Sequence, residues 1–281
     1  MGTPQIPMTE KVIAKRVKQG RGKGRRAQYQ PWIKVQDFSS IGRASRAKSV
    51  LFDRLHHVFS KLELEVLCIL ECLPCVWDIR EQFPLPRVDT IQLAMELGFR
   101  HPIYPDTSVY TVMTTDFLVT CRTGLQETHY AYAVKYASQA KKPRPGSKLK
   151  LEAAYWQHLP KAIPHLVVTD HVIQPSLVKN AQFVRPHRHL ESLHPVTITQ
   201  IEEIEKQLTP GVLKSRDSLA SLCNQSDQRL AIRAGSSLKV ARYLMANQVW
   251  PLDWSRFFNP GRPLPLGNGC LDPATLQWKV A

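Results

Sequence analysis

Nowhere does the 281-residue chain reach the roughly 18 consecutive apolar residues that a membrane-spanning helix needs, so no transmembrane segment is expected. The opening MGTPQIPMTEKVIAKRV lacks the apolar core of a secretory signal, and the expectation is a protein that stays in the cytoplasm. Internal repeats are lacking. Cysteine is sparse, six residues in all, and without a secretory signal these are expected as reduced thiols rather than a disulfide framework. Cys68, Cys72 and Cys75 have the CxxxCxxC spacing of radical-SAM iron–sulfur enzymes. The first two, however, stand four apart inside the apolar helical run LELEVLCILECL, a pattern of core packing rather than of a loop open to a cluster. Acidic residues are also in short supply: 23 Asp and Glu stand against 38 Lys and Arg, a formal charge of +15. Such an excess points to a polyanionic partner, most often nucleic acid.

The positive charge is concentrated. Lys11, Lys15, Arg16, Lys18, Arg21, Lys23, Arg25 and Arg26 fall in one short stretch, and Lys141-Lys142-Pro143-Arg144-Pro145-Gly146-Ser147-Lys148 reads as a basic loop. Each cation that meets a phosphate releases a counterion, so binding through these segments should depend strongly on salt. Otherwise the composition, 43% hydrophobic and 22% charged, is that of a globular protein with a sizeable core.

Periodicity and breakers suggest two domains. Thr9 to Gln19 reads as a basic helix with Thr9 at its N-cap, and PWIKVQDF, residues 31 to 38, as a strand. Ser60 to Leu73 reads as a helix, Val76 to Leu85 as a strand, and Asp89 to Leu97 as a helix closed by Gly98. Val112 to Cys121 and His129 to Ala137 read as strands around the turn signal Arg122-Thr123-Gly124. Ser147 to His158 follows as a helix and His165 to Thr169 as a short strand, so a mixed α/β domain is expected over residues 1–169. Residues 170–281 differ: a helix over Asp170 to Arg185, a Pro- and His-rich linker RPHRHLESLHPV, and amphipathic helices at TITQIEEIEKQL and SSLKVARYLMAN. QVWPLDWSRFF then reads as two short strands, which would make this smaller, mainly helical domain winged-helix-like.

Three polar residues of the first domain stand in telling places. Glu63 begins a helix, Asp116 lies in the apolar strand MTTDFLVTC, and Lys135 lies in the next one, AYAVKYA. A carboxylate and an ammonium inside apolar strands are disfavoured unless charge compensates them. Two carboxylates could hold Mg²⁺ or Mn²⁺ beside a phosphodiester, with the lysine orienting water or stabilising the growing negative charge. Each residue also has a structural reading. Ser60-x-x-Glu63 matches a capping box in which Glu63 returns to the Ser60 amide; Asp116 could cap a turn and Lys135 could snorkel from an edge strand.

The surrounding strings IAKRVKQGRGKG, PWIKVQDF, GRASR, HHVFSKLELEV, WDIREQFPL, TTDFLV, AVKYA and LEAAYWQ, in that order over about residues 10 to 170, resemble the TnsA family of transposon endonucleases. The resemblance implies a restriction-endonuclease-like first domain, a mixed sheet flanked by helices, and a helical, winged-helix-like C-terminal domain for partner docking. It puts Glu63 in the place of the helical carboxylate, Asp116 in that of the central metal-binding aspartate and Lys135 in that of the catalytic lysine, with the backbone carbonyl of Val134 as a further metal ligand. It implies a Mg²⁺-dependent DNA endonuclease, with Mn²⁺ able to substitute, that hydrolyses the non-transferred strand near the 5′ transposon ends. Implied partners are transposon-end DNA, a TnsB-like transposase and a TnsC-like AAA+ ATPase, in a bacterial cytoplasm and without a membrane. One departure is Ala133, where the family often has Gln; with the basic N-terminus it motivates the alternative of a catalytically weak DNA-binding and assembly subunit. Glu65 is expected to be structural, Glu152 to lie on the helix beside the site, and Arg80, Glu81 and Gln82 either to support the site, to touch DNA or to form a surface ion pair.

Overall fold

The structure is a computed structural model and describes residues 7–37, 44–140, 143–267 and 273; of residues 143–146 it describes the backbone alone. Two compact units divide the chain. The described residues of Met1–Val66 and Cys75–Val172 make the first, and those of Leu67–Pro74 and Ile173–Thr275 the second.

The first unit is built on a four-stranded mixed sheet. Helix α1 (Glu10–Lys18), a two-stranded ribbon β1 (Ser45–Lys48) and β2 (Leu55–Val58), and helix α2 (Lys61–Leu70) precede β3 (Val76–Pro84). Helix α3 (Arg87–Glu96) leads to β4 (Thr114–Thr123) and β5 (Gln126–Val134), and α4 (Ala137–Ala140) and α5 (Pro143–His158) lead to β6 (His165–Val168). The order is β3-β4-β5-β6, with β5 and β6 parallel and the other pairs antiparallel. A parallel pair needs a long crossover, which the two helices between β5 and β6 supply. Strand β4 is buried from Thr115 through Cys121, as its near-continuous apolar sequence requires of a strand covered on both faces. Gly124, at φ 61, makes the turn into β5 where a side chain would be strained. Leu93 and Ala94 of α3 and Leu151, Tyr155 and Trp156 of α5 pack with Leu118 and Ala131 of the sheet into one core.

Several local expectations shift. Of the expected strand over residues 31–38, Phe38 lies outside the described residues and 31–37 form none: Val35–Asp37 is a single 3-10 turn, and the Trp32 backbone N–H is bonded to the Gln82 carbonyl at 3.3 Å. The Asp37 carboxylate holds this segment by accepting from Arg21 at 2.5 Å and from the Lys34 amide at 2.9 Å, which outweighs the strand propensity of a short apolar run. The ribbon β1–β2 was not foreseen. Lys135 follows the last residue of β5 rather than lying within the strand, although its amide still bonds to the Val168 carbonyl. Of the expected basic loop, Lys141 and Lys142 lie outside the described residues, and the chain is helical from Pro143, because the first turn of a helix needs no intrahelical N–H bond and so accepts proline.

The second unit is helical: α6 (Pro175–Val184), α7 (Ile198–Lys214), α8 (Leu219–Arg229) and α9 (Ser236–Ala246). Thr197 and Gln200 form a reciprocal capping box that starts α7. Asp227 accepts from the amides of Gly235 and Ser237 and so shapes the left-handed entry to α9, which buries Val240, Ala241, Leu244 and Met245. The expected linker RPHRHLESLHPV is instead two 3-10 turns that bury Leu193 completely, and the expected pair of strands in QVWPLDWSRFF is reduced to an isolated bridge, Leu252 with Leu266. Cys72, wholly buried with its thiol pushed well up in pKa by burial, sits among helices with Sγ 3.7 Å from the Ala181 carbonyl; a thiol so placed is a poor cluster ligand.

Glu81 anchors β3 from inside the first unit. Arg54 reaches its carboxylate at 2.8 and 2.9 Å, His56 Nδ1 at 2.8 Å and the His57 amide at 3.1 Å. Burial works to raise the Glu81 pKa, yet His56 and Arg54 together hold it well below the ordinary 4.5. This is a buried network rather than the surface pair considered from sequence. Removing one partner of a buried pair strands the other charge, so Arg54→Met should destabilise the protein by about 3–5 kcal/mol in urea unfolding. A carboxyl with a depressed folded-state pKa contributes its stability above pH 4.5 and loses it as pH falls below, so the gap between Arg54→Met and wild type should narrow on acidification.

Candidate active site

At the sheet end where β3, β4 and β5 run beside α2 and α5, one cavity of about 710 Å³ is lined by Glu63, Asp116, Val134, Lys135 and Glu152 together. The local sequence explains each arrival. Ser60 caps α2: its hydroxyl accepts the Glu63 amide at 3.0 Å and donates to Glu63 Oε1 at 3.0 Å, while the Phe59 amide donates to Oε2 at 2.8 Å. A capping box therefore exists, with Phe59 rather than Ser60 supplying the backbone donor. The same bonds aim Glu63 into the cavity, so the capping and ligand readings are compatible.

Asp116 is 5% exposed in the central strand. Its Oδ2 accepts from the Val134 amide at 2.7 Å and from Lys135 Nζ at 2.6 Å, and Gln82 Nε2 lies 3.4 Å from Oδ1. Burial lowers the readiness of Lys135 to carry charge, but Asp116 and Glu63 outweigh it and hold the ammonium above its ordinary pKa. Glu63 has the opposite balance. Burial first, and the Asp116 charge second, push its carboxyl up to about 7 against the pull of Lys135, Phe59 and Ser60. Glu63 and Asp116 thus repel one another in a cavity that Glu152, Lys135, Arg16 and Lys148 also line. Among the described residues no three His, Cys, Asp or Glu side chains cluster as a ready metal cage. The donor set, two carboxylates with a neighbouring backbone carbonyl and room for water, fits a hard cation of the Mg²⁺ type.

Glu152 completes the wall. Thr115 donates to its Oε1 at 2.7 Å, Trp156 Nε1 donates to Thr115 at 2.8 Å, and His165 Nε2 stands 3.2 Å from the carboxylate. Glu65 pairs with Lys61 one turn back on α2, 3.2 Å away, a structural role as expected. Arg80 lies on the ring of Phe83 and 3.4 Å from Asp78. Sequence reasoning offered Gln82 as one residue that could support the site but did not name Asp116 as its partner, and it had no signal for the Thr115–Trp156 link.

Residues 73–170 match the family description "TnsA-like endonuclease N terminal", and residues 173–254 match "TnsA endonuclease C terminal". The chain is also 38% identical over 252 residues to "Transposon Tn7 transposition protein TnsA" of Escherichia coli, across 88% of this chain and 87% of that protein. The chain belongs to the TnsA endonuclease family. As a TnsA protein it is an endonuclease subunit of Tn7-type transposition, with the mixed sheet and helical C-terminal region of that family. No helix among its described residues is long and apolar enough to cross a membrane.

The electrostatics of the site can be tested without turnover. A carboxyl whose folded-state pKa is raised takes up a proton on folding, so its contribution to stability falls as pH rises from 4.5 to about 7. In metal-free buffer Glu63→Gln should therefore lose less stability than wild type between pH 5 and pH 8, a difference of about 1 kcal/mol or more by urea midpoint. Parallel pH profiles would show that Glu63 is not held in repulsion with Asp116.

Proposed function

We propose that this TnsA protein is a Mg²⁺-dependent DNA endonuclease in which Glu63, Asp116 and the backbone carbonyl of Val134 hold the cation, Mn²⁺ being able to substitute. The observation that carries the reading is the convergence of Glu63, Asp116 and Lys135 on one cavity. What such a cation supplies when bound is Lewis acidity toward the scissile phosphate and its attacking water. Lys135 then orients that water or stabilises the charge that grows on the phosphate, being kept protonated by its carboxylate neighbours. Val134 contributes its N–H to Asp116, so the strand backbone fixes the carboxylate. The strand cut is the non-transferred one, near the 5′ transposon ends, with a TnsB-like transposase handling the other strand and a TnsC-like AAA+ ATPase docking on the helical domain, residues 170–281. The first domain, residues 1–169, carries the chemistry.

In an end-cleavage assay with the partner transposase, Asp116→Ala should lower 5′-end hydrolysis by about a hundredfold or more while strand joining by the partner persists. Undiminished double-strand excision by that variant would sink the assignment.

DNA contact falls to exposed cations. Lys11, Lys15 and Lys18 project from α1 and Lys23 from the loop after it, whereas Arg21 is committed to Asp37 and to the Trp32 carbonyl, and Arg16 lies 3.3 Å from Asp37. Replacing the four lysines by Gln should reduce the slope of log affinity against log salt by about three to four. Arg21→Gln should instead act on stability, leaving that slope within about one of wild type.

A further inference from the structure

Gln82 occupies an unusual place in β3. It stands across from Asp116, between the register pairs Glu81–Phe117 and Phe83–Thr115, and its backbone is left-handed at φ 48 although it is not glycine. Such a conformation in mid-strand persists only where the surroundings impose it. The side chain is 1% exposed and wholly engaged: Thr114 Oγ1 donates to its Oε1 at 3.1 Å, and its Nε2 faces Asp116 Oδ1 at 3.4 Å. Chemistry enforces that orientation, because a carboxylate only accepts and the amide must turn its NH₂ toward it. From the other side the Gln82 carbonyl accepts the amide of the buried Trp32. Lys135 and the Val134 amide hold only Oδ2, so Gln82 is what restrains the second oxygen of Asp116.

We propose that Gln82 is a positioning residue which, with Thr114 as its own orienter, locks the Asp116 carboxylate in the attitude that receives the divalent cation. The inference rests on the reading of Asp116 as a metal ligand. Outer partners of ligating carboxylates typically govern affinity by 10–100-fold. The unbroken register on either side, Glu81 with Phe117 and Phe83 with Thr115, puts Gln82 opposite Asp116.

The test titrates Mn²⁺ alone into the full-length protein by calorimetry, without DNA, comparing wild type, Gln82→Met, Thr114→Val and Asp116→Ala. Gln82→Met keeps the volume of the side chain and removes its hydrogen bonds. The expected result is loss of detectable binding in Asp116→Ala and about tenfold weaker binding in Gln82→Met. In DNA cleavage the same variant should need about tenfold more Mn²⁺ for half-maximal rate while recovering most of the rate at saturation. A merely structural role would lower the melting temperature and leave the metal dependence of the folded fraction unchanged. Should Gln82→Met not fold, Thr114→Val carries the test with a shift of about threefold, since it leaves the amide present but removes the bond that holds it in place. Wild-type affinity in Gln82→Met, or in Thr114→Val where that variant stands in for it, together with abolished binding in Asp116→Ala, overturns the positioning role and leaves the nuclease reading intact. Unchanged affinity in Asp116→Ala overturns both.

Discussion

The buried Asp116 carboxylate is the constraint around which the first unit is organised. A negative charge in the middle of an apolar strand is tolerated only with compensation close at hand, and the neighbouring strand end supplies it through one amide and one ammonium. That requirement ties the end of β5 to the middle of β4. It also acts on its neighbour, since the Asp116 charge adds to burial in raising the Glu63 pKa. The cation of the proposed function would relieve that repulsion between Glu63 and Asp116.

The fold delivers these groups through ordinary local chemistry. Ser60 caps α2 and in doing so turns Glu63 inward. Thr115, bonded to Glu152 and to Trp156, joins the strand to α5 through the hydrophobic core. Glu81, one residue before Gln82, is clamped by Arg54 and His56, so the backbone on that side of Gln82 is immobilised by an ion-pair network that takes no part in the cavity itself. Positioning of the site is thus distributed over charge pairs and core contacts, and a left-handed residue within a strand is sustained by anchors on both sides of it.

The cations of the basic N-terminus fall into two groups, paired and exposed. Part of its charge is spent on folding: Arg16 and Arg21 converge on Asp37, and Arg25 and Arg122 share Glu127 over the ring of Trp77, an arrangement that holds the Glu127 carboxyl down to about 2. The lysines remain on the surface, which suits them to phosphate, since a flexible ammonium meets a polyanion with little geometric demand.

The sequence by itself determined the family, the strand-and-helix order around β3 to β6, and the identity of Asp116 and Lys135 as charged residues out of place in apolar surroundings, with Glu63 legible as the carboxylate of a capping box at a helix start. Those features are local: periodicity, caps, turn residues and a charge where none should be can all be read along the chain. Tertiary structure decided the rest. It set the backbone partner of Glu63, turned residues 31–37 from part of an expected strand into a tethered turn, ordered the supposed linker around Leu193 and brought Gln82 against Asp116. These depend on which residue from a distant part of the chain fills a hydrogen bond or takes up a charge. Propensity carries no record of that partner, because the free energy resides in the pair and not in either residue alone.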